Sequence, residues 1–148
     1  MKPIVHGIAG SVAMLTVATF WTSTLISEAF LDHAAVALVK QCVVYGLVLL
    51  ITAMAATGAT GFALSRHRQG RIVDGKKKRM PLIAANGLLV LLPCALFLSA
   101  KAQAGAFDTS FYVVQAIELA MGALQLTLLG MSFRDGMRLA GKLKPKAR

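Results

Sequence analysis

Acidic side chains are scarce in this chain: 6 Asp and Glu stand among 148 residues, against 16 Lys and Arg. Charge of either sign is also sparse, at 15% of residues where an ordinary soluble domain carries about 25%. A soluble fold of this length could not cover its surface with so few charges, so that class is excluded. Cysteine is limited to Cys42 and Cys94, both inside apolar sequence and neither in a CxxC or Cys/His cluster, which excludes a disulfide framework and a thiolate metal site. No metal is expected. There is no Gly-rich phosphate loop, no HExxH, no GxSxG and no paired acidic motif, so no catalytic residue can be named. The net charge of +10 is not interleaved with aromatics on any one segment, and no nucleic-acid module is present, so nucleic acid is not an expected partner.

What the chain does have is apolar length. It is 57% hydrophobic with a mean hydropathy of +0.69, and the apolar residues fall into four blocks, 4–27, 34–64, 81–100 and 110–133. A bilayer core of roughly 30 Å needs about 20 helical residues, and each block is that long. The expected fold is all-α: a single membrane domain over 1–148, a bundle of four transmembrane helices. The first block is too long for a signal-peptide core and reads as a mature span. Pro81 stands at the start of the third block, where a first-turn proline is tolerated. Pro93, near its middle, predicts a kink. Asp108, Thr109 and Ser110 are candidate caps for the fourth helix.

All the Lys and Arg residues except Lys40 and Lys101 lie at the N-terminus, in the segment 65–80 or in the tail 134–148. The positive-inside rule then predicts both termini and a basic central loop in the cytoplasm, as in a bacterial inner membrane. Anionic lipid headgroups are the expected partners of this basic face. The two outer turns share a short echo, Ala29-Phe30-Leu31-Asp32 and Ala106-Phe107-Asp108, and the halves read as two similar hairpins.

Small residues from Ala55 to Gly61 predict a tight helix crossing through Gly58 and Gly61, within the bundle or against a partner helix. Gly122 offers a second close approach. Trp21, Tyr45 and Tyr112 fall toward the outer ends of their spans, as in an interfacial belt, although Trp21 and Tyr45 suit burial equally.

The polar residues inside the blocks carry the functional question. Glu118 lies three or four residues from the centre of the fourth block. Gln115, Glu118, Gly122 and Gln125 follow helical spacing and share one face, which should look inward. Lys40 and Asn86 complete a candidate intramembrane polar site. Glu118 is there either a neutral hydrogen-bonded acid, or half of an ion pair with Lys40, or a proton or cation relay. His6 and His67, both near the basic side, are the candidate ligands of a haem b. Their depths oppose it, since His67 falls roughly 16 Å beyond the level of His6. No cofactor is therefore the leading expectation. The function expected is a non-enzymatic membrane subunit or assembly factor acting through helix–helix contacts. The alternatives are a small proton-coupled transporter or channel using Glu118, and a b-type cytochrome.

Overall fold

The computed structural model describes residues 2–66 and 70–141. It is all-helical in those residues. α1 spans Lys2–Phe30, α2 His33–Ser65, α3 Arg71–Ala85, α4 Leu92–Gln103 and α5 Thr109–Leu139. A π-helical turn, Asn86–Leu91, joins α3 to α4 without a break, so the chain makes four rods, each long and apolar enough to cross a membrane. Around the bundle α1 packs on α2 and α5, α2 on α4, and the α3–α4 rod on α5. Consecutive rods are neighbours, and α2 and α5 stand diagonally opposite.

The turns follow from local chemistry. Asp32 accepts from the Ala35 amide at 2.8 Å and caps α2. Asp108 accepts from the Phe111 amide at 3.0 Å and caps α5, so the cap expected among 108–110 is Asp108. Gly105 takes the positive φ of 67° that ends α4 and that a side chain would resist. The hydroxyls of Ser11, Thr16, Thr19 and Thr22 bond carbonyls of their own helix four residues back, which removes them as site candidates.

Two expectations about proline need correction. Pro81 is not in a first turn: α3 begins at Arg71, and Pro81 lies inside it. Helix extends through the basic segment because Val73 buries its side chain and Arg79 meets Asp135 of α5 at 2.6 Å. At Pro93 the expected irregularity takes the form of the π turn that precedes it. Proline has no N–H and crowds the carbonyl four residues back, whereas the wider turn pairs the Leu92 amide with Gly87 O, five back. His67 and the tail from 142 to 148 lie outside the described residues.

The core is three apolar clusters stacked along the bundle. Val36, Leu98, Ala102 and Phe111 fill the end with the short turns. Val43, Leu47 and Ala95 fill the middle. Val17, Ile83 and Leu129 lie toward the termini. Tyr45 and Tyr112 are exposed on the outside of the bundle.

One prediction comes from the α4–α5 turn. Lys101 pairs with Asp108, and Ser110 and the Phe111 amide also donate to it, which together hold its carboxyl well below the usual carboxylate range. A depressed folded value stabilises the fold fully above the unfolded value near 3.9, and the effect fades as pH falls toward the folded value. Asp108→Asn keeps a capping side chain and loses the charge. The difference in thermal midpoint between wild type and variant should be constant from about pH 7 to 5 and begin to close below about pH 4. A difference that grows on acidification would refute the assignment.

Candidate functional site

α5 turns one polar stripe inward. Gln115 and Gln125 are buried, Gly122 lies between them, and the Glu118 side chain keeps only 14% of its exposure. Facing them from the diagonal helix, Lys40 is 1% exposed. The aliphatic stem crosses the bundle interior and sets Nζ 2.6 Å from Glu118 Oε2. Gln115 Nε2 donates to the same oxygen at 3.2 Å. Both of these bonds fall on Oε2, which leaves Glu118 Oε1 without a partner among the described residues.

A third charge belongs to this cluster. Glu28, on the last turn of α1, lies within electrostatic reach of both Lys40 and Glu118, and its Oε1 is buried without a hydrogen-bond partner. The first apolar block, 4–27, stops one residue short of Glu28. The missed signal was spacing: Val17, Trp21, Thr24 and Glu28 follow steps of four, three and four, a single helical stripe. Two carboxylates are thus within reach of Lys40, and the His33 imidazole is within reach of Glu28.

The π turn builds the second polar group. Asn86 is buried there, and its Nδ2 donates to Gln125 Oε1 at 2.8 Å and to Met121 O at 3.0 Å. Gln125 Nε2 returns a bond to Ile83 O at 3.1 Å. Side chain and backbone of each helix therefore engage the other, a two-way clamp between α3 and α5. Between the two polar groups Trp21 lies against Gly122. Its Nε1 donates to Leu119 O at 2.9 Å, and a Cβ on residue 122 would come within 2.7 Å of the indole. Of the two positions open to Trp21, it takes the inward one, half-buried against α5.

A cavity of about 340 Å³ connects these parts. Trp21, Leu47, Glu118, Leu119, Gly122 and Gln125 contribute to its wall. Ile51 and Ala55 of α2 line one margin and Ala84 and Leu88 the other, and all four are exposed, so the cavity opens between α2 and the third rod. The volume is within the range of small-molecule sites. No family model, curated protein or solved structure matches this chain.

The remaining candidates fall elsewhere. His6 Nδ1 is 3.1 Å from Thr57 O and 3.1 Å from Thr60 Oγ1. A carbonyl only accepts, so Nδ1 donates and ties α1 to α2. His33 is at the opposite end, stacked on Phe107 at 4.0 Å, so no described histidine faces His6. Among the described residues no three His, Cys, Asp or Glu gather as metal ligands. Gly61 is a close approach, with His6 and Met80 at 3.1 and 3.3 Å from a Cβ placed there. Gly58 is not: a Cβ there would meet nothing within 4 Å, so the crossing expected through Gly58 is absent inside the bundle.

Removing one member of a buried ion pair strands the other and costs about 3–5 kcal/mol, while replacing both by apolar groups is often neutral. The third charge makes the pair asymmetric. Glu118→Gln leaves Lys40 with Glu28, whereas Lys40→Met leaves two carboxylates without the ammonium. Lys40→Met should be the more destabilising single change, and Lys40→Met/Glu118→Gln should recover part of the loss. Thermal unfolding of the three variants checks this. Strictly additive effects would show that the pair is not coupled.

Proposed function

We propose that this chain is a non-enzymatic integral membrane subunit or accessory protein, with both termini cytoplasmic, that works by helix–helix contact in a bacterial inner membrane. The observation that supports this reading is the outward face of α2. Ala59 is exposed and Gly58 has open space beside it. Small residues on a lipid-facing surface let another helix approach closely and gain dispersion contacts that lipid tails do not match. Inside the bundle the same stretch is already engaged at Gly61 and Thr57, so the free side is a face for a partner. The basic end supports the orientation, since Arg71, Lys76, Lys77, Lys78 and Arg79 stand there on α3 beside Arg134 and Arg138 of α5. Anionic headgroups would gather around it, each basic residue contributing about 1 kcal/mol.

A second reading, a small proton-coupled transporter or channel, is favoured by one specific observation: Glu118 is both ion-paired and part of a cavity wall. The haem reading gains no such support.

Two measurements test the leading proposal. A reporter fused after Arg148 should read cytoplasmic, and one inserted at Gly105 should read external; the same side for both would refute the topology. Gently solubilised protein should give a native mass above that of one chain, and Gly58→Leu or Ala59→Leu should return it to the monomer. A monomeric wild type would refute the subunit reading.

A further inference from the structure

The cavity carries a sign of charge as well as a shape. Its wall is apolar except for Trp21, Thr24, Glu118 and Gln125. Gln125 has both ends of its amide engaged by Asn86 and Ile83, and Trp21 has given its N–H to Leu119. Glu118 Oε1 is the acceptor left over, on a carboxylate whose other oxygen already takes two bonds. Glu28 and Lys40 are in electrostatic reach of it, and His33 is in reach of Glu28. Gln115 Oε1, on a residue 4% exposed beside Glu118, is a further buried acceptor with no donor. Two acceptors here, Glu118 Oε1 and Gln115 Oε1, thus have no donor among the described residues.

We propose that the cavity is a binding site for a lipophilic amine. The protonated nitrogen donates to Glu118 Oε1, the carboxylate oxygen that no described residue engages. The hydrocarbon body lies along Leu47, Leu91 and Leu92, and the molecule enters from the side, between Ala55 and Ala84. A neutral alcohol makes the same hydrogen bond without a charged donor, and a carboxylate has no proton to donate. The site is compatible with a subunit and with a transporter, so it does not depend on the oligomer reading above.

Trp21 is the single tryptophan of the chain and lines the cavity, so its fluorescence reports occupancy. Full-length protein in nanodiscs of neutral lipid is titrated with phenylbutylamine, phenylbutanol and phenylpentanoate, three probes of like shape and different charge, with calorimetry in parallel. The amine should bind about tenfold more tightly than the alcohol, as a charge-assisted hydrogen bond requires, and the acid most weakly. Glu118→Gln should bring amine and alcohol to equal affinity. Ala84→Phe, which leaves every charged residue in place and narrows the opening, should weaken amine binding about tenfold by the loss of fit. Amine binding no tighter than alcohol, amine affinity unchanged in Ala84→Phe, or no binding by either method would overturn the proposal.

Discussion

An ammonium group enclosed by an apolar bundle must be matched or neutralised, and the fate of Lys40 constrains most of this structure. Taking an ammonium group out of water costs several kcal/mol unless it is paired. Lys40 meets that cost by reaching across the diagonal to α5, the one helix whose backbone does not neighbour its own. The reach fixes the rotation of α2 about its axis, because any other rotation takes Nζ away from Glu118. It fixes α5 too, since Glu118 must face inward together with Gln115 and Gln125. Buried ion pairs are poor sources of net stability compared with apolar packing, and their best-attested use is to set register. Here the pair sets the register of two helices that otherwise share only apolar side-chain clusters, at Val36 and Phe111 and around Leu129.

The third rod answers a different constraint. Pro93 removes a backbone donor in the middle of a long helix, and the chain responds with a wider turn upstream of it. That turn buries Asn86 and points it at Gln125, and a backbone irregularity thereby becomes a hydrogen-bonded joint. The joint and the ion pair sit on opposite sides of Trp21, whose indole rests on the bare backbone of Gly122. Polar, aromatic and glycine contacts alternate down the inner face of α5, and the open volume lies where none of the three fills the space.

Much of this was legible in the sequence. Four apolar blocks, their short polar separators and the inward face of α5 follow from hydropathy and a period of 3.6 residues. The membership of Glu28 did not, because a carboxylate near the end of an apolar block looks like a turn residue until the helix is extended to Phe30. The helical course of 71–80 was also hidden. A run such as Lys76-Lys77-Lys78-Arg79 has no apolar period strong enough to announce a helix, and its order comes from Asp135, distant in sequence. The small residues of α2 illustrate a third limit. Composition marks a surface for close approach, but which of the glycines is used depends on what stands opposite: His6 and Met80 at Gly61, nothing at Gly58.

The π turn has a consequence for how the third rod can change. Such a turn holds one residue more than an α-helical path over the same rise, so the two ends of the rod are out of angular phase by one residue. Converting it to regular α geometry would rotate Arg71–Ala85 against Leu92–Gln103 by about 100° and shift it by about 1.5 Å. Such a twist would swing Arg79 away from Asp135 at one end while Pro93 stayed in place at the other. Pro93 opposes that conversion, and the Asn86–Gln125 clamp holds the rod in the angular setting that the π turn gives it.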